Sequence, residues 1–251
     1  MRVPAEISDA SNNPLHLSIA DALAHEILDG SWQPGSNKKL EQIQEQYDIS
    51  RTVAREATRL LASLRCVQFQ RGTGVIACGP YDWDDLNTRV ITWKLHSNLR
   101  QAELRDLTEL RLAVEPAAAA GCASRGTVEA RTHIGVIGHD LIRTAREDRL
   151  DDFHALDIEF HAGLLGNCGN PIFAELSSTV ATVLRGRVEI NMYPQHPEES
   201  ALSAHEKVAQ AVVAGDAHAA YEAMYDIVSE VNTGRCQWVV AMSSLNASVG
   251  V

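Results

Sequence analysis

Three changes in the spacing of apolar positions divide the first eighty residues. Leu40, Ile43 and Tyr47 recur at helical spacing and predict a short amphipathic helix. Asp48-Ile49-Ser50 then supplies a tight turn that ends in an N-cap serine. In the next segment Val53, Ala57, Leu60, Leu61 and Leu64 share one side of a second helix. Past it, Cys66–Gln70 and Val75–Cys78 alternate as strands do, joined by Arg71-Gly72-Thr73-Gly74, which predicts a β-hairpin. The order is helix, turn, helix, hairpin.

From Trp83 onward the period is helical throughout. Trp83, Leu86, Val90, Trp93 and Leu95 line a first helix, and Leu104, Leu107, Leu110 and Val114 with the Ala117–Ala120 run line a second. Further helices are expected at roughly 127–147, 150–166, 171–191, 200–214 and 217–232, broken by Gly-, Asn- and Pro-bearing segments at 166–171 and 191–194. The fold class expected is therefore mostly α: a winged helix-turn-helix at 10–79 and an all-α antiparallel bundle at 80–235. Residues 236–251 lack a period and read as a loose tail. A bundle interior is a natural place for a small ligand.

The polar side of the second helix carries the first chemical signal. Arg51, Arg55 and Arg59 are spaced by four and share one face, opposite the apolar one. In such units the second helix presents its N-terminal residues to base edges in the major groove, which singles out Arg51, Thr52 and Arg55, with Ser50 beside them in the DNA-binding set; Arg59, further along, reaches a phosphate. At the hairpin tip, Gly72 and Gly74 permit positive φ beside Arg71 and Thr73, so the backbone can approach a sugar-phosphate chain. Together these residues resemble the N-terminal domain of the GntR superfamily of bacterial transcription factors. The resemblance covers roughly residues 15–79 and rests on Leu17-Ser18-Ile19-Ala20 in a helix that ends at Gly30, Pro34-Gly35, Ile49–Ala57 and Arg71–Gly74. After Pro34-Gly35 the family carries a Leu-Pro step where this chain has Asn37-Lys38-Lys39, and Lys38 and Lys39 are expected to add backbone contacts to duplex DNA.

Net charge qualifies this picture. The chain carries −11, but residues 1–80 account for only −1 and residues 81–251 for −10. Between Ser50 and Gly74 stand five arginines and one acid, Glu56, so the local field attracts DNA although the whole protein is an anion. No apolar run approaches the ~20 residues of a membrane span, and the N-terminal residues lack the pattern of a signal peptide, so a cytoplasmic location is expected. Five cysteines, an odd number with no Cys-x-x-Cys pair, indicate neither a disulfide framework nor a zinc ribbon.

In the bundle, polar residues stand where a core face is expected. Asp157 and His161 are spaced by four and leave their helix on one side, a pairing that can chelate a divalent metal or hydrogen-bond a hydroxy acid. His205 is the third member, near the start of a helix otherwise apolar on that side. Arg111 and Arg185 are cations on helices that must pack, each suited to hold an effector carboxylate bidentately. These segments resemble the FCD effector domain of FadR-like GntR regulators. Trp83–Leu95 with Glu109–Ala119 fits best the branch that controls sugar-acid operons, of the galactonate type. The resemblance implies a metal, often zinc, on Asp157, His161 and His205, with arginines on an effector carboxylate. Where many relatives have a last histidine ligand, this chain has Ile227 beside Asp226. A three-ligand metal and direct binding of sugar hydroxyls by Asp157 and His161 both stay open.

The expected protein is a homodimeric regulator, a repressor of an operator site, that responds to a small carboxylate of the sugar-acid class. Two other readings compete: a regulator of the same fold that senses a fatty acyl or amino-acid ligand, and a metal-dependent enzyme that uses Asp157, His161 and His205. The enzyme reading lacks a further base or nucleophile at motif spacing and leaves the N-terminal domain unexplained.

Overall fold

A computed structural model describes residues 14–192 and 197–232. The proposed tail, 236–251, and the first residues of the proposed DNA-binding domain, 10–13, lie outside them. The chain divides into two units, Met1–Gln101 and Ala102–Val251.

The first unit packs three helices, a small sheet and a fourth helix around one core. Helix α1 (Leu15–Leu28) buries Ile19, Leu23 and Ile27 along one stripe, and α2 (Leu40–Tyr47) adds Ile43 and Tyr47. Helix α3 (Arg51–Ser63) begins as its sequence predicts: the Ser50 hydroxyl accepts from the Val53 amide at 3.3 Å. That bond satisfies one of the four donors left open at a helix start. Ala54, Ala57, Thr58 and Leu61 form the buried stripe of α3, with Val53 and Leu60 half-buried at its edges.

Strands β1 (Asn37–Lys38), β2 (Val67–Gln70) and β3 (Gly74–Ala77) make an antiparallel sheet in the order β1-β3-β2. The expected hairpin is β2–β3, with Val67 opposite Ala77 and Gln70 opposite Gly74. β1 was not expected; it pairs Asn37 with Ile76 and Lys38 with Val75. Glycine is required at 74, where φ is +116° and an added Cβ would stand 2.6 Å from the Lys38 carbonyl oxygen.

The division between units falls after Gln101, beyond the Gly79-Pro80 boundary read from the sequence. Its physical reason lies in α4 (Thr88–Leu95) and the segment before it. Trp83, Val90 and Trp93 belong to the same buried cluster as Ile19, Leu61 and Val75. The two indoles meet edge to face at 6.0 Å, and Asp21 of α1 accepts from both Trp93 Nε1, at 2.9 Å, and Arg89 Nη1. Trp83 itself precedes the helix, and Leu86, expected on its core stripe, is exposed.

The second unit is helical, and no strand occurs in it among the described residues. Its elements are α5 (Arg100–Arg125, which begins two residues before the division), α6 (Val128–Arg146), α7 (Leu150–Gly166), α8 (Pro171–Glu175), α9 (Ser177–Glu189), α10 (Glu199–Ala214) and α11 (Ala217–Asn232). The single helix expected at 171–191 is thus two, joined at Leu176. Helix α6 packs between α7 and α10, α10 on α11, and α7 on α9. The α6–α10 contact is antiparallel and close. Arg146 pairs with Glu199 at one end, and at Gly138 an added Cβ would stand 2.6 Å from the Ala209 Cβ. One cluster, including Cys122, Ile134, Phe160, Val208 and Met224, fills the space between these helices; a second joins Val114 and Ala118 of α5 to Leu165, Val180 and Leu184.

Candidate DNA interface and candidate metal centre

On α3, Arg51, Thr52, Arg55 and Arg59 are all exposed on the face opposite the buried stripe. Arg51 stands 4.0 Å from Glu41, and Arg59 pairs with Glu56 at 3.0 Å; both contacts are solvent-exposed and worth little. Arg55 and Arg71 form no ion pair among the described residues, so their charges face outward uncompensated. Arg71 and Gly72 are exposed at the hairpin tip, where Gly72 has φ +79°, with Thr73 and Gly74 half-buried behind them. The Ser50 hydroxyl is occupied as the cap of α3.

The two lysines part company. Lys39 is exposed at the start of α2, where its amide donates to Gln42 Oε1 at 2.7 Å. Lys38 is not available to a phosphate as its position suggested: its ammonium donates to Glu26 and, at 3.0 Å, to Gln46, and lies 5.1 Å from the centre of the Trp32 ring. Glu26 also accepts from the Tyr47 hydroxyl at 2.7 Å, so Lys38 belongs to a network that ties α1, α2 and β1 together.

In the helical unit, α7 presents Asp157 and His161 one turn apart and α10 brings His205 to them; all three are buried. One ligand atom from each lies within 4.8 Å of the other two. His161 Nε2 is 3.7 Å and His205 Nε2 3.1 Å from Asp157 Oδ1. The imidazoles stand nearly perpendicular, 88°, with centroids 5.7 Å apart, and both touch the Phe160 ring. His205 Nδ1 donates to the Ala201 carbonyl at 2.7 Å, which leaves Nε2 as the acceptor of a neutral ring. The short approach of His205 Nε2 to Asp157 lacks hydrogen-bond alignment. Burial works against a charge on His205, but the contact with Asp157 and the Ala201 carbonyl more than offset it and raise its pKa.

Behind His161 stands a residue that sequence reasoning missed. Glu115 of α5, fully buried, accepts from His161 Nδ1 and from Arg111 Nε, the latter at 2.5 Å. Burial alone would push the Glu115 carboxyl up, yet Arg111 and then His161 hold it down at about 2. Arg111 is therefore buried as expected but committed to an internal carboxylate. The i,i+4 spacing of Arg111 and Glu115 was the available signal. Arg185 is not brought into the cluster; it is exposed on α9, because Val180, Val183 and Leu184 define the buried side and position 185 turns away from it. Among the described residues α11 supplies no fourth ligand either: Ile227 is part of the apolar core and Asp226 is exposed.

The residues present fit a divalent metal. Two imidazoles turn their Nε2 atoms toward one carboxylate oxygen, and each Nδ1 is tied back to an acceptor, as metal-binding histidines are. A three-ligand set leaves coordination positions for water or a ligand.

Comparison with known proteins agrees with both halves. Residues 15–76 match the gntR family of bacterial regulatory proteins, and residues 106–230 match the FCD domain. The galactonate operon transcriptional repressor of Escherichia coli (strain K12) is 28% identical over 172 residues, 68% of this chain and 74% of that one. YieP of the same organism, an uncharacterised helix-turn-helix-type transcriptional regulator, is 23% identical over 217 residues, 85% and 92% of the two chains. Among solved structures, that of Lar, which controls the expression of the Listeria monocytogenes agr system, covers 88% of this chain and 95% of its own with a TM-score of 0.56 at 16% identity, a likeness of fold.

Proposed function

Because the chain belongs to the gntR family of bacterial regulatory proteins and carries an FCD domain, a transcriptional regulator and not an enzyme, we propose that it is a repressor released from its operator by a small carboxylate of the sugar-acid class. The observation that carries the effector half is the buried Asp157–His161–His205 cluster inside the helical unit. An apolar interior tolerates such groups only where they are paired or bind a ligand, and a fatty acyl chain would want fewer of them. A divalent metal, zinc or similar, would be held by Asp157, His161 and His205, and would supply a Lewis-acid grip on a carboxylate or hydroxyl oxygen. The galactonate repressor among its relatives supports the sugar-acid class.

In the DNA-binding unit, Arg51, Thr52 and Arg55 read base edges, while Lys39, Arg59 and the Arg71–Gly74 tip hold the backbone. A homodimer places two such helices on a pseudo-palindromic site. Reciprocity then fixes the control: if effector weakens DNA binding by some factor, DNA weakens effector binding by the same factor. Operator affinity is measured by fluorescence anisotropy while aldonates, uronates and short carboxylic acids are titrated in. A fall with one of these is expected, and affinity unmoved by all of them removes the effector claim.

A further inference from the structure

We propose that Glu115 is the positioning residue of the candidate metal centre, fixing the His161 ring so that Nε2 is the nitrogen presented beside Asp157 and His205. This rests on the reading that Asp157, His161 and His205 hold a metal. A carboxylate can only accept, so the His161 nitrogen that faces Glu115 carries the hydrogen. In a neutral imidazole the lone pair then lies on Nε2, which stands 3.7 Å from Asp157 Oδ1.

Glu115 is itself held. Arg111, one turn earlier on α5, donates Nε to Oε1 and approaches Oε2 with Nη2 at 3.4 Å. The guanidinium and carboxylate charges of this pair cancel, so Glu115 orients His161 without setting a net negative charge behind it. The two histidines are fixed by different means. His205 donates to the Ala201 carbonyl, a backbone group that no substitution removes, whereas His161 depends on a side chain. Glu115 is therefore the removable half of the arrangement, and its loss should disturb one ligand and leave the other in place.

Glu115→Gln makes the test. An amide can accept from Nδ1 or donate to it, so the variant no longer selects the tautomer with a free Nε2. Titration calorimetry with Zn2+ and Co2+ should show affinity lower by about 10- to 100-fold than in the full-length natural protein. Long-range 1H–15N imidazole spectra of the metal-free proteins give the readout that a merely structural role would not move. His161 should be a single Nδ1–H tautomer in the natural protein and a mixture in Glu115→Gln, with His205 the same in both. Should Glu115→Gln fail to fold, the spectrum of the natural protein decides, and an Nε2–H tautomer at His161 overturns the proposal. Equal metal affinity in the two proteins overturns it while the metal reading stands. Failure of the natural protein to bind either ion sinks the metal reading and this proposal with it.

Discussion

Gly135 and Gly138 of α6 lie one turn apart against α10, yet alanine should destabilise at 138 and be tolerated at 135. At 138 an added Cβ would meet the Ala209 Cβ at 2.6 Å and the Phe160 Cε2 at 3.3 Å. Carbon atoms pack best at about 3.5–4.0 Å, so the contact is short by roughly 1 Å. Ala209 has no torsion that moves its Cβ aside, so α10 itself must retreat. Overpacking of this kind costs about 1–3 kcal/mol, against about 1 kcal/mol gained when alanine replaces glycine inside a helix. The net expectation for Gly138→Ala is a loss of about 1 kcal/mol, or ~2–4 °C in the melting of the helical unit. At 135 the added Cβ meets only Val213 Cγ2, at 2.7 Å, a methyl of a side chain that is 50% exposed on the last turn of α10 and can yield toward solvent without moving the helix. Gly135→Ala should therefore be neutral or stabilising by up to about 1 kcal/mol. Because α10 carries His205 and Phe160 touches both histidine rings, Gly138→Ala should also weaken Zn2+ binding. Urea unfolding followed by far-UV circular dichroism measures the stabilities. A Gly138→Ala protein as stable as Gly135→Ala would refute the reasoning.

Arg55→Ala should lower discrimination between operator and scrambled duplex by about 1–3 kcal/mol, whereas Arg71→Ala should weaken both and reduce the salt slope of binding by about 1; anisotropy titrations at several salt concentrations check this. In protein loaded with Zn2+ at about a hundred times its Kd, the ion should add about 2.7 kcal/mol of stability, lost on chelation and absent from Asp157→Ala, as read by melting temperature. A fragment ending at Gly79 should remain unfolded, since it lacks Trp83, Val90 and Trp93, while one ending at Gln101 should give a dispersed amide NMR spectrum. Lys38→Ala should cost stability through the exposed remainder of the Glu26 network but leave the salt slope of DNA binding unchanged, which distinguishes it from Arg71→Ala.

Periodicity made most of the fold legible, because a stripe every 3.6 residues must be buried somewhere whatever covers it. The cationic side of α3, the β2–β3 hairpin and the helices α6, α7, α10 and α11 could all be read this way. Asp157 and His161 were legible for the same reason: one turn separates them, so one location serves both. Periodicity does not say which neighbour covers a stripe. Trp83, Val90 and Trp93 looked like the opening of the bundle, yet their partners are Ile19 and Leu61. Glu115 is hidden in the sequence because a carboxylate on a helix reads as solvated until its neighbours are known, and without that partner Arg111 reads as a cation that waits for a ligand. Two-residue β1 carries no period at all, so Lys38 read as a free cation. Arg185 could have been placed, since Val180, Val183 and Leu184 already mark the buried side of α9.

The hairpin tip also separates what can drift from what cannot. Nothing lies within 4 Å of a Cβ added at Gly72, so asparagine or aspartate, which tolerate the left-handed backbone there, can be admitted and would retune how tightly the finger grips a strand. Two positions on, any side chain would collide with the Lys38 carbonyl and unzip the edge strand. Inheritance thus has one dial and one lock within three residues, and lineages of this head can diversify in affinity for DNA without losing the sheet that holds the finger up.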